Sequence, residues 1–254
     1  MAGDYAILAQ IYDDIGLSAF SRRMTPLLMD FAQQHDWLGR RVFDIGCGTG
    51  ASIEYLSQYP YTITGIDSSP EMLAAAQNKL ESSGANVRWL QQDIRELSAQ
   101  DGTADMVLAL NVLNELNSLR DLEAVFARVH RLLEGGKLFI FDMFTVQGLA
   151  EEGNRSDLLL HDSPERLAVM LRSQYDYERQ MHTAHYLIFH RASGAWERLE
   201  ARRILRAFPV QAIASLLQRC GFAINHLIQP DFAPYEPSVS RSAQVIFFAE
   251  KQVV

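Results

Sequence analysis

Nine residues, Val42-Phe43-Asp44-Ile45-Gly46-Cys47-Gly48-Thr49-Gly50, carry the strongest chemical signal in this chain. They read as a short buried strand, a glycine turn and a helix opening at Ala51. Glycines at alternate positions permit positive φ and leave no Cβ in the way, so backbone can approach a ligand closely. The helix start behind them offers unpaired N–H groups. Asp44, near the strand's end, is badly placed for a phosphate and well placed for a cationic group or the loop's own amides. A second strand, Tyr61–Ile66, ends in Asp67, and a third, beginning Val87-Arg88-Trp89-Leu90, ends in Asp93 followed by Ile94. Three carboxylates at three successive strand ends point to a polar ligand gripped along one edge of a sheet.

Two ligand classes compete for this arrangement. Gly46-x-Gly48-x-x-Ala51 formally satisfies the dinucleotide fingerprint, and Asp67, roughly twenty residues on, suits a ribose diol in either reading. The segment after it separates them. Asp67-Ser68-Ser69-Pro70-Glu71-Met72-Leu73 resembles the second motif of the class I S-adenosylmethionine-dependent methyltransferases, and a nicotinamide site has no standard need for Asp93. An oxidoreductase would also want a Tyr-x-x-x-Lys pair, which the chain lacks.

The resemblance implies a site. The Gly46–Gly50 backbone, with Cys47 between two of its glycines, would lie against the methionine moiety and ribose of S-adenosyl-L-methionine. Asp67 would accept both ribose hydroxyls, Ser68 and Met72 would flank the adenine, and Asp93 and Ile94 would read its polar edge. Leu110 and Asn111, past the fourth strand, would pack beside the methionine part. Tyr12-Asp13 resembles the family's N-terminal lid, in which a Tyr closes over the cofactor. Each residue also has a plainer role: Met72 as helix core, Asp93 as a helix N-cap, Tyr12 as a surface aromatic, Cys47 as a small packing residue rather than a nucleophile.

The elements that must position these residues follow from hydropathy spacing. Residues 1–38 show helical spacing without strands. From 41 to 144 strands and helices alternate, implying βαβ units with right-handed crossovers. A helix over 70–82 has Ser69 as its N-cap and Pro70 in its first turn. The fourth strand, 104–110, is almost continuously apolar, as a central parallel strand should be. A helix over 119–133 stops at Gly135-Gly136, and a strand follows over 137–143. An acidic loop after Thr145 leads to an antiparallel meander over 171–178, 182–190 and 196–205, with Ser193-Gly194 as a turn. A helix over 210–219, a strand over 222–228 and a last strand over 243–250 complete the chain. The expected fold is α/β: a doubly wound, mostly parallel sheet of seven strands, the Rossmann-like methyltransferase fold, with an inserted antiparallel meander. By resemblance its last strand slides antiparallel between strands five and six. The expected division is a helical lid over 1–40, a cofactor-binding unit over 41–144 and 206–254, and a substrate cap over 145–205.

Composition narrows the acceptor. The chain has 254 residues, 48% hydrophobic and 21% charged, with a formal net charge of −8. That balance opposes broad electrostatic capture of nucleic acid or an anionic membrane. The segment Asn111-Val112-Leu113-Asn114-Glu115-Leu116 lacks the prolines and aromatic that base-modifying amino-methyltransferases place there, which weighs against DNA. It resembles the Asn-containing stretch of small-molecule methyltransferases, and Tyr12-Asp13 with the antiparallel meander is similar to the group that includes amino-sugar N-methyltransferases. The expected acceptor is therefore a small molecule methylated on nitrogen or oxygen, with RNA and protein acceptors left open. A non-catalytic, cofactor-binding relative would keep the same motifs over a blocked acceptor pocket. Two cysteines suit a reducing compartment, and the N-terminus has no apolar secretory run, so a cytoplasmic monomer or homodimer is expected. Glu115, Asp142, Tyr175, Tyr177 and His185 are candidates for a general base. A metal site among His182, His185 and His190 is disfavoured, because strand residues an odd number apart face opposite sides. The stretch Glu200-Ala201-Arg202-Arg203 follows the family pattern only loosely.

Overall fold

The computed structural model describes residues 3–81, 86–98, 100–155, 157–192 and 194–253. Two helices open the chain, α1 (Tyr5–Leu8) and α2 (Ala19–Gln34). The alternating region follows as β1 (Arg41–Ile45), α3 (Ala51–Leu56), β2 (Thr62–Asp67), α4 (Pro70–Leu80), β3 (Val87–Gln91), β4 (Ala104–Ala109), α5 (Leu119–Leu132) and β5 (Leu133–Phe144). Ser82, the expected end of α4, lies outside the described residues, as does Ser193. The start of α4 forms as its sequence implies: Ser69 Oγ accepts from Met72 N at 3.2 Å and Pro70 occupies the first turn.

The remaining elements are α6 (Val146–Gly153), β6 (Leu158–Ser163), β7 (Leu167–Asp176), β8 (Met181–Ala192), β9 (Ala195–Arg206), α7 (Val210–Arg219), β10 (Phe222–Ile228) and β11 (Gln244–Lys251). Seven strands form one sheet in the order β10-β11-β5-β4-β1-β2-β3. Strands β1 to β5 are parallel to one another, whereas β11 runs antiparallel to both β5 and β10. A dinucleotide-binding Rossmann sheet continues in parallel to its sixth strand, so this last hairpin sets the fold apart. All six residues of β4 are buried. Alternate residues of the sheet feed two cores: Ile45, Val107, Phe139 and Phe247 on the α5–α7 side, Val42, Met106, Ile140 and Phe248 on the α2–α3 side.

Two expectations need correction. Gly135-Gly136 does not separate helix from strand; β5 begins at Leu133 and carries both glycines. Its register with β4 jumps from Ala104↔Leu133 to Met106↔Leu138, and Gly136 takes φ +73° within that irregularity. The glycines permit a bulge rather than a turn. The segment after Thr145 is also not a loop. Thr145 Oγ1 accepts from Gly148 N at 2.9 Å to start α6, and β6 adds a fourth strand to the antiparallel sheet β6-β7-β8-β9. A register shift between Leu159 and His161 breaks β6's alternation, which hid it.

The inner face of this second sheet presents Val169, Leu171, Ala184, Tyr186, Ile188 and Ala201. They share one core cluster with Leu8, Tyr12, Ile15 and Met72. The antiparallel sheet thus shares a core with the N-terminal segment and Met72 of α4, above the edge formed by the C-terminal ends of β1, β2 and β3.

Candidate active site

The glycine loop takes the conformation its residues allow. Gly46, Gly48 and Gly50 have φ of +69°, +53° and +76°. A Cβ on Gly46 would stand 2.4 Å from Val112 Cγ2, so the first glycine is required by packing. At Gly48 a Cβ would meet nothing within 4 Å, so that backbone faces open space. The space is a cleft of about 1040 Å³ at the strand ends. Its walls include eleven of the residues singled out above: Tyr12, Gly46, Cys47, Gly48, Asp67, Ser68, Met72, Asp93, Ile94, Leu110 and Asn111.

Asp44 is the exception. It is 2% exposed, lies off the cleft wall, and its Oδ2 has no hydrogen-bond partner. Burial, with the nearby Asp67 adding, pushes its carboxyl up to about 8. The loop amides expected to meet it are not among its partners. Instead Gly48 N donates to Asp67 Oδ2 at 2.8 Å and Ser69 N to Asp67 Oδ1 at 2.9 Å. Those two bonds fix the Asp67 carboxylate at the cleft and leave each oxygen a lone pair for a ligand hydroxyl.

Asp93 adopts its plainer role. It caps a short 3-10 turn by accepting from Arg95 N at 2.8 Å, and the Arg95 guanidinium covers both carboxylate oxygens. Arg95, which also lines the cleft, must swing aside before Asp93 can take a further donor. Cys47 behaves as a packing residue: burial, then the charges of Asp44 and Asp67, push its thiol well up, away from the reactive thiolate.

The N-terminal segment is fastened by charge. Thr49 Oγ1 donates to Asp13 Oδ1 at 2.7 Å, and Lys79 bonds the other oxygen. Asp13 thereby ties the N-terminal segment to the glycine loop and to α4, and places Tyr12, 9% exposed, on the cleft wall. Burial keeps the Tyr12 phenol neutral, pushing it up to about 12.

Sequence reasoning missed the polar knot beside this cleft. Arg203, on β9, is 5% exposed. Its Nε donates to Glu115 Oε1 at 2.9 Å and to Tyr5 Oη at 3.1 Å, while Nη2 donates to the Asn111 carbonyl at 2.7 Å. Tyr5 Oη in turn donates to Glu115. Asn111 has φ +59°, a left-handed conformation that Asn tolerates better than most residues. It is held there by Asp142, which accepts from Asn111 N at 2.6 Å, and by the bond from Asn111 Nδ2 to the Leu17 carbonyl at 3.2 Å. Burial pushes the Asp142 carboxyl up to about 7. One signal for Arg203 existed: it occupies an apolar-parity position between Ala201 and Leu205 on β9, where only a paired cation is tolerated.

The other candidate bases separate clearly. Glu115 lines the cleft and Asp142 lies behind Asn111. Tyr175 and Tyr177 touch edge to face, but Tyr177 lies beyond the end of β7 and is 68% exposed, so the two do not share a strand face. His185 pairs with Glu200 at 2.9 Å on the outer side of its sheet. None of these last three lines the cleft or the cavity under the antiparallel sheet.

A second cavity of about 900 Å³ lies under the antiparallel sheet, with Asn111 in the wall of both cavities.

Comparison with known proteins agrees with this architecture. The sequence pattern of a methyltransferase domain matches residues 42–136. The Bacillus subtilis (strain 168) protein YqeM, which bears a methyltransferase name, is 32% identical over 213 residues, 83% of this chain and 84% of YqeM. The chain belongs to the class I S-adenosylmethionine-dependent methyltransferases. An S-adenosylmethionine-dependent methyltransferase from Clostridium acetobutylicum ATCC 824 superposes with a TM-score of 0.82 at 20% identity, covering 98% of this chain and 99% of that one. The ubiquinone biosynthesis O-methyltransferase of Erwinia tasmaniensis is 29% identical over 120 residues, 46% of this chain and 49% of its own length.

This methyltransferase uses S-adenosylmethionine, and its cleft fits that cofactor. The buried Asp44 carboxyl beneath the loop has an unpartnered oxygen and is a group that a nearby cationic ligand would help to ionise, and the open side of Gly48 gives such a ligand room. Among the described residues no helix is long and apolar enough to cross a membrane.

Proposed function

We propose that the enzyme methylates nitrogen or oxygen of a small molecule, with cofactor in the first cavity and acceptor in the second. The observation that carries this reading is Asn111, a residue in a strained conformation that forms part of both walls. Strain of this kind costs about 1–3 kcal/mol and survives only where surrounding bonds hold it. Bound cofactor supplies an already activated methyl group, so the protein's work is binding, alignment and exclusion of water.

In this reading Asp67 takes the ribose hydroxyls, Ser68, Met72 and Ile94 enclose the adenine, and Asp93 meets its exocyclic amine once Arg95 moves. Leu110 and the Gly46–Gly48 backbone hold the methionine portion, and Tyr12 closes over it. Residues 1–40 act as a lid and 145–205 as a substrate cap, which the shared core of Tyr12, Met72 and Tyr186 supports. The O-methyltransferase of Erwinia tasmaniensis, by its name, works in the synthesis of a small molecule, which agrees with an acceptor of that size. The open second cavity argues against a binding protein with a blocked acceptor pocket.

Calorimetric titration with S-adenosylhomocysteine and with NAD, for the natural chain and Asp67→Ala, tests the cofactor half. Micromolar binding of S-adenosylhomocysteine alone, weakened roughly 10²-fold or more in the variant, is expected from the loss of two charge-assisted hydrogen bonds. Equal binding by the variant would remove Asp67 from the site.

A further inference from the structure

The second cavity has a definite chemical character. Leu17, Phe20, Leu149, Leu158, Leu160 and Leu171 supply apolar wall. Its charged groups are already matched: Arg203 is paired with Glu115, and Arg155 with Glu152 at 2.9 Å. Among the described residues, no unpaired carboxylate lines it to receive an ammonium. One buried polar atom there is unspent. His182 is 5% exposed, its Nε2 lies 3.2 Å from Ser173 Oγ, and its Nδ1 has no partner. A buried imidazole nitrogen left without a hydrogen bond carries a desolvation cost that a bound ligand can relieve.

Resting on the two-cavity reading above, we propose that the acceptor is a largely apolar, uncharged molecule methylated on a hydroxyl oxygen, and that His182 Nδ1 receives that hydroxyl's hydrogen bond. This role requires the tautomer in which Nε2–H donates to Ser173 Oγ, which makes Nδ1 the accepting nitrogen. In the transfer the acceptor oxygen's lone pair forms the new bond to the methyl carbon. The sulfur keeps the electron pair of the bond that breaks, and the hydroxyl proton passes to Nδ1 and from there to solvent. Burial, with the Arg203 charge adding, holds His182 down at about 4. Such a base takes a proton only as the oxygen becomes strongly acidic during transfer, and it is neutral again at pH 7. An alkylammonium, with a pKa near that of lysine at about 10, would have to lose its proton to this base against roughly a million-fold unfavourable ratio. The same cavity therefore selects against charged amines twice, by the absence of a free anion and by the weakness of its base.

The experiment uses the full chain, with 4-butylphenol and 4-butylbenzylamine as matched probes. S-adenosylhomocysteine is titrated first; failure at this stage counts against the cofactor cavity and is read separately. Each probe is then titrated into the complex, and methyl transfer from labelled S-adenosylmethionine is followed by mass of product. The phenol is expected to bind at least about tenfold more tightly than the amine and to yield the methyl ether. His182→Leu should weaken phenol binding about tenfold while S-adenosylhomocysteine affinity stays within about twofold. Should that variant fail to bind S-adenosylhomocysteine, the phenol-to-amine ratio on the natural chain decides alone. Equal or tighter amine binding, binding of neither probe, or unchanged phenol binding by a folded His182→Leu would overturn the proposal.

Discussion

Asp44 offers a test of the buried site that needs no substrate. Its carboxyl is 2% exposed, one oxygen is unpartnered, and burial raises it from an ordinary 3.8 to about 8. An acid raised on folding keeps a proton that the unfolded chain has already lost. Between pH 4 and 8 the folded state therefore binds more protons than the unfolded, and stability falls as pH rises. From pH 5 to pH 8 this one group removes about 4 kcal/mol, at about 1.4 kcal/mol per pH unit with the last unit partly titrated. Asp44→Asn keeps the shape and abolishes the titration. Asp142, also raised, titrates in both proteins and cancels in the comparison. Urea unfolding of the ligand-free protein, followed by tryptophan fluorescence at both pH values, gives the two differences in stability. The natural protein should lose about 4 kcal/mol more than the variant on going from pH 5 to 8. Parallel pH dependences would refute the reasoning, because they would mean that Asp44 finds a partner or solvent when it ionises.

Three further perturbations reach other parts of the site. Gly46→Ala places a Cβ 2.4 Å from Val112 in a conformation with φ +69°, so it should destabilise by about 1–3 kcal/mol and weaken S-adenosylhomocysteine binding, measured by denaturation and calorimetry. Arg203→Met strands the Glu115 carboxylate against Tyr5 and should cost about 3–5 kcal/mol, with Arg203→Met/Glu115→Gln recovering part of it in a double-mutant cycle. If the N-terminal segment closes over the cofactor as proposed, Asp13→Asn, which removes the charge that Lys79 and Thr49 hold there, should give faster release of S-adenosylhomocysteine by stopped-flow displacement with little change in unfolding.

Legibility in the sequence followed the range of the interactions involved. The glycine loop, the Ser69 cap and the buried strand β4 depend on neighbours within a few residues, and local pattern was enough to place them. Asp67 was legible because its partners, Gly48 and Ser69, are built into the same two motifs. By contrast, the Gly135-Gly136 bulge depends on register against β4, and β6 exists only because β7 is there to pair with it. No local pattern encodes either. Arg203 was the hardest case, since its partners Tyr5, Glu115 and Asn111 lie 88 to 198 positions away. That same distance explains what the knot can do. A single buried guanidinium joins the first helix, the exit of β4 and the last strand of the antiparallel sheet, and it grips the carbonyl of the residue common to both cavities. The Arg203 side chain therefore links the antiparallel sheet directly to Asn111, the residue common to both cavities, through the bond to its carbonyl.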